Sequence, residues 1–153
     1  MSRIITTALV LTVSFFSFSD VASAQSSAAW RRYQGLLSRA VAANNANIAN
    51  QGALAGEAAA WNAGMASTNP LVRRNARGRY VRFLNRLTQT TNNSIGAHKA
   101  AFSALVNWWR MHGSTRYRAT YASARNNLLA AINSLNGDSV AIAGYRRAAF
   151  SRY

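Results

Sequence analysis

From Ala28 to Ala66 the packing residues recur in steps of three and four: Trp30, Tyr33, Leu37, Val41, Asn44, Ile48, Gln51, Leu54, Ala58, Trp61 and Met65. That is the period of a helix rather than the alternation of a strand. Ser26 and Ser27 precede the run as candidate N-caps, and the abundant alanine favours helix wherever it falls. Gly52, Gly56 and Gly64 each weaken it by up to about 1 kcal/mol relative to alanine, so a kink is expected near Gly52. A straight helix of this span would be roughly 58 Å long at 1.5 Å per residue.

Ser67-Thr68-Asn69-Pro70 interrupts the pattern. Asn69 can cap, and Pro70 at the first helical position loses no intrahelical hydrogen bond, so a second helix is expected to start there. Its stripe is Val72, Ala76, Tyr80, Phe83, Leu84 and Leu87, with Arg74, Arg77, Arg79, Arg82 and Arg86 on the remaining arc. Thr90 to Ser94 is either a break or a polar patch inside a longer helix, because Asn and Ser compete for backbone hydrogen bonds without forbidding helix. The period resumes on Ile95, His98, Phe102, Leu105, Val106 and Trp109 and stops at Gly113. A further helix is expected from about Thr115 to Asn136, closed by Gly137, and a last short one capped by Asp138 or Ser139. The fold class is therefore all-α, an antiparallel bundle of four or five helices.

If the chain reverses near Thr68, residue i lies opposite about 136 minus i. Asn44, Asn45 and Asn47 then face Thr91, Asn92 and Asn93. The two patches either form a buried amide layer that fixes register, as single asparagines do in coiled coils, or are separately solvated. The same geometry sets Glu57 near Arg79.

The first 24 residues have the pattern of a secretory signal: Arg3, an apolar run from Ile4 to Phe18, and the small-residue site Ala22-Ser23-Ala24. Their removal would leave residues 25–153 as one basic helical domain, exported to the periplasm or beyond. The apolar run is too short, and too broken by Thr and Ser, for a membrane span. No later run is long enough for one.

Charge changes the picture most. The chain has 153 residues with 18 Lys+Arg against 3 Asp+Glu, a net +15. Loss of Arg3 and Asp20 with the signal leaves that value unchanged, so the excess belongs to the folded product. Seventeen of the 18 bases are arginine, whose guanidinium makes bidentate bonds to phosphate, sulfate and carboxylate and stacks on aromatic rings. Arginine is interleaved with aromatics at Trp30-Arg31-Arg32-Tyr33, Arg79-Tyr80-Val81-Arg82-Phe83, Trp108-Trp109-Arg110, Arg116-Tyr117-Arg118 and Tyr145-Arg146-Arg147. The blander reading is that these rings face inward with arginine stems beside them. That reading leaves the net charge unexplained.

Catalytic chemistry has little material. Without cysteine there is no disulfide, thiolate zinc site or cysteine nucleophile. Beyond the signal the acids are Glu57 and Asp138 and the histidines are His98 and His112. Asp138 has a structural use as an N-cap, and Glu57 as the ion-pair partner of Arg79. On a continuous helix His98 and His112 stand about 21 Å apart, too far to share a metal. No cofactor motif is present, so neither a cofactor nor a metal is expected.

The expectation is a non-enzymatic exported protein that binds polyanions: nucleic acid, lipopolysaccharide or acidic polysaccharide. Arg73, Arg74, Arg77, Arg79, Arg82 and Arg86 form the main basic face, extended by Arg31, Arg32, Arg146 and Arg147. The alternatives are a membrane-active or envelope-associated protein, in which a semi-exposed Trp108 anchors at an anionic membrane surface or stacks on a base, and a cell-wall hydrolase using Glu57. Trp109 takes the core stripe in this reading, and packing on another helix of the bundle is an equal alternative for Trp108.

Overall fold

The structure, a computed structural model, describes residues 27–151; the expected signal segment, residues 1–24, lies outside the described residues. The described chain is all-α: α1 (Ala28–Gly52), α2 (Leu54–Met65), α3 (Pro70–His112) and α4 (Arg118–Ser151), with a single 3₁₀ turn at Thr115–Tyr117. They make three long rods, because α1 and α2 are parted only at Ala53, whose φ of −80° and ψ of −11° stay near helical values. The interruption falls next to Gly52, where a kink is expected. The Ser27 hydroxyl accepts from Trp30 N–H at 3.2 Å to cap α1, and Asn69 Oδ1 accepts from Leu71 N–H at 2.9 Å ahead of Pro70 to cap α3.

The break expected at Gly137 does not occur, because Gly137 and Asp138 lie inside α4, and of the two readings of Thr90 to Ser94 the polar patch inside a longer helix is the one found in α3. The Thr88 and Thr90 hydroxyls donate back to the carbonyls of Leu84 and Leu87, so these side chains are accommodated on the helix instead of ending it. Asp138 caps nothing. Its carboxylate accepts from Gln51 Nε2 at 2.7 Å, tying α4 to the end of α1.

The rods run antiparallel with α3 in the middle. Trp30 near the start of α1 meets Trp108 near the end of α3, with ring centroids 4.8 Å apart, while Glu57 in α2 reaches Arg79 near the start of α3. On the other side Tyr117 meets Trp108, and Arg77 meets Phe150 near the end of α4.

Burial follows sevens. Buried positions seven apart are Tyr33, Ala40, Asn47, Leu54 and Trp61 along α1 and α2, and Leu128, Leu135, Ile142 and Ala149 along α4, where Ala131 and Ile132 are buried between them. Along α3 the line is Tyr80, Leu84, Leu87, Thr91, Ser94, His98, Ala101, Leu105 and Trp108, in alternating steps of four and three. This is the 3.5-residue repeat of coiled-coil packing, and it passes without interruption through the polar patch. The same register corrects the tryptophans. Trp108 stands 28 residues, four heptads, from Tyr80 and is 2% exposed, so it is a core residue and not a semi-exposed anchor. Trp109 lies at the edge and stacks on Tyr121 at 4.5 Å.

The buried polar layer forms through other partners than the full set expected. Thr91 donates to Asn47 Oδ1 at 2.8 Å and Thr90 to the same oxygen at 3.4 Å, whereas Asn45, Asn92 and Asn93 are exposed and Asn44 is half-buried. One heptad on, His98 is fully buried with Nδ1 2.8 Å from the Ser94 carbonyl. A carbonyl only accepts, so Nδ1 carries a proton and donates it, while Nε2 lies buried in the core with no hydrogen-bond partner.

Candidate polyanion interface

The six arginines at the start of α3 do not form a single face. Arg73 turns back onto the interhelical turn, donating to the Ser67 and Thr68 carbonyls at 3.0 and 3.3 Å. Arg77 leans toward α4, with its guanidinium carbon 5.1 Å from the centre of the Phe150 ring. Arg79 leans toward α2 and forks onto Glu57, at 2.9 Å from Nε to Oε2 and 2.8 Å from Nη2 to Oε1. Arg74, Arg82 and Arg86 are exposed. The arginines therefore splay around α3.

Two of the extending arginines lie with this group and two do not. Arg146 and Arg147 precede Phe150, which sits against Arg77, so they stand at the same end of the molecule. Arg31 and Arg32 follow Trp30, which packs on Trp108. Trp108 is 29 residues along α3 from Arg79, roughly 43 Å at helical rise. Arg31 and Arg32 thus extend no patch around Arg79; they belong to the opposite end, beside Arg110, Arg116 and Arg118.

Glu57 is the one carboxylate within this set. The guanidinium of Arg79 holds its carboxyl below the ordinary glutamate range, aided by the charge of Arg86, and the same pairing raises Arg79. A general acid must hold its proton near neutrality, so this shift has the wrong direction for such a role. The pair edges an open cleft of about 320 Å³ between α2 and α3, which also borders Trp61, Val72 and Tyr80. Trp61 and Tyr80 stack there at 4.9 Å and 10°. Burial, and the neighbouring Tyr145, push the Tyr80 phenol above its usual value. Among the described residues no three His, Asp or Glu side chains come together as a metal site, and His112 ends α3 in solvent, 14 residues from His98.

No family model, curated protein or solved structure matches the chain.

Among the described residues, the basic ones outside the expected site are Arg39, Lys99, Arg110, Arg116, Arg118 and Arg125. With Arg31 and Arg32 they make a second basic end, opposite the first. Sequence reasoning passed over it because no short segment holds more than three of these bases. Three helices and the 3₁₀ turn supply them, and antiparallel packing brings them to one end. The signal that could have found it is the position of each base along its helix, once the directions of the helices are assigned.

Proposed function

We propose that this is an exported, non-enzymatic cationic protein that binds polyanions such as nucleic acid, lipopolysaccharide or acidic polysaccharide through clustered arginines. One observation carries the reading. The described residues hold 16 Lys+Arg and only two carboxylates, Glu57 and Asp138, of which Asp138 accepts from Gln51. Two carboxylates neutralise at most two of those bases. The rest concentrate near the ends of the rods, where their repulsion is relieved by water, counterions or a polyanionic partner. Arg74, Arg82, Arg86 and Arg147 are the contacts expected at one end, with Arg73, Arg77 and Arg79 contributing charge from anchored positions and Arg146 from a half-buried one. The heptad-packed rods serve as a single helical domain, residues 25–153, that carries them.

The test is equilibrium binding of the purified protein to duplex DNA and to heparin at about 50 and 200 mM salt. Each neutralised anion releases condensed counterions, so several contacts predict a loss of at least tenfold in affinity over that range. Affinity that does not change with salt would overturn the reading.

A second reading, association with an anionic membrane surface, has its own observation. Leu71 is 62% exposed at the start of α3, and Val72 and Phe150 are exposed beside Arg73, Arg74 and Arg77. Among the described residues no helix is long and apolar enough to cross a membrane, so such binding would be peripheral. Leu71→Ser lowering the affinity for anionic vesicles while leaving that for DNA unchanged would favour it.

A further inference from the structure

With α3 as a ruler, the bases of the described chain fall into two groups separated by a neutral belt. One group occupies the levels of residues 73–86, joined there by Arg146 and Arg147 of α4. The other occupies the levels of residues 99–110, joined by Arg31, Arg32 and Arg39 of α1, by Arg116 of the 3₁₀ turn and by Arg118 and Arg125 of α4. Residues 87–98 of α3 contain no base, nor do residues 40–51 of α1 and 129–140 of α4 packed at the same levels. The belt is about 20 Å long, and the centres of the two groups are about 40 Å apart, at 1.5 Å per residue.

The belt is polar but almost uncharged. Its surface carries Asn45, Asn92, Asn93, Asn133 and Asn136, and its single ionisable acid, Asp138, is negative. One exposed heptad line of α3 reads Asn75, Arg82, Gln89, Gly96, Ser103 and Arg110, so its two arginines flank an uncharged middle. A polyanion lying lengthwise would cross this belt with no cation beneath it and a carboxylate nearby. Each end, by contrast, presents arginines from more than one helix, arranged around the rods and not along one stripe. Guanidinium groups placed so can clasp a phosphate backbone from several directions.

We infer that the protein bridges two nucleic-acid segments, holding one at each end of the three-rod body. This rests on the polyanion-binding reading and specifies its geometry: two independent phosphate-backbone sites, sequence-indifferent because contacts to phosphate carry no base information, kept about 40 Å apart by the heptad core.

The experiment uses eight-base-pair DNA duplexes, roughly 27 Å long at 3.4 Å per base pair, too short to reach both centres. Donor-labelled and acceptor-labelled duplexes are mixed with the purified protein at low salt, and the complex is weighed by sedimentation. The expected result is energy transfer between duplexes in a complex of one protein with two duplexes. The triple variant Arg74→Gln, Arg82→Gln, Arg147→Gln and the triple variant Arg31→Gln, Arg110→Gln, Arg118→Gln change only exposed side chains. Each should reduce the complex to one duplex and abolish transfer, with helical content and melting temperature near those of the parent. Saturation at one duplex, or loss of that duplex in only one of the two variants, would overturn bridging while leaving polyanion binding in place. No duplex bound at any salt would overturn both.

Discussion

Thr91 and Asn47 meet in the core between α1 and α3, with the threonine hydroxyl 2.8 Å from the asparagine Oδ1 and both side chains closed to solvent. They occupy heptad positions that aliphatic residues fill elsewhere on the same lines, Leu54 along from Asn47 and Leu84 and Leu105 along from Thr91. A buried polar pair of this kind penalises a slip of one heptad, because slipping would put an amide against leucine.

Removing one partner should therefore cost more than removing both. Asn47→Ala strands the Thr91 hydroxyl and should lower unfolding stability by about 1–3 kcal/mol, whereas Asn47→Leu combined with Thr91→Val should be near neutral. Denaturant midpoints of the single and double variants measure this. Additive losses would mean that the two side chains do not act as a pair.

Acid should weaken the contact between α2 and α3. Because Glu57 titrates below its ordinary value of 4.5 in the fold, the unfolded chain binds its proton first as pH falls. The stability that the ion pair contributes is present above that value and is lost as pH drops through the lower folded value. Melting temperatures of the parent and Glu57→Gln, followed from pH 7 downward, should differ near neutrality and converge in acid. A constant gap would argue against the pair.

At the alkaline limit Tyr33 should dominate. Burial pushes its phenol up to about 12, against an ordinary 10.0. Between those values the unfolded chain loses the tyrosine proton while the fold keeps it, so stability falls as pH rises. Tyr33→Phe should flatten that slope, and the ultraviolet tyrosinate titration of the parent should lose its latest component in the variant.

Gly64 should behave unlike the other helical glycines. A Cβ added there would overlap that of Ala76 across the α2–α3 contact, whereas one added at Gly35 or Gly96 meets nothing within 4 Å. Gly35→Ala and Gly96→Ala should stabilise by up to about 1 kcal/mol through helix propensity. Gly64→Ala should instead destabilise by roughly 1–3 kcal/mol, because the rods must part to admit a methyl group. Thermal melts of the three variants check the contrast in sign.

Much of the architecture is legible along the chain because it is local. Ser27, Asn69 and Pro70 mark helix starts by satisfying or omitting particular N–H groups, and the reversal at Ser67 to Pro70 is enough to bring Glu57 to Arg79. Gly137 does not end a helix as expected, and Thr90 to Ser94 continues one, since their effect on helix is small beside the packing of a long heptad line. A search for apolar residues at a 3.6-residue period misplaces Trp108 and Trp109 for the same reason. The true register runs through Thr91, Ser94 and His98, polar residues whose burial depends on a partner helix.

The sequence by itself determined the all-α class, the excess of arginine and the scarcity of carboxylates, because propensity, capping and charge are properties of residues one at a time. The tertiary structure alone decided where that charge lies. Antiparallel packing of three rods sends Arg31 to the end that carries Arg110 and Arg118, and Arg147 to the end that carries Arg74 and Arg82. Spatial neighbourhood in such a fold is set by helix direction and heptad register, and neither can be read from distance along the chain.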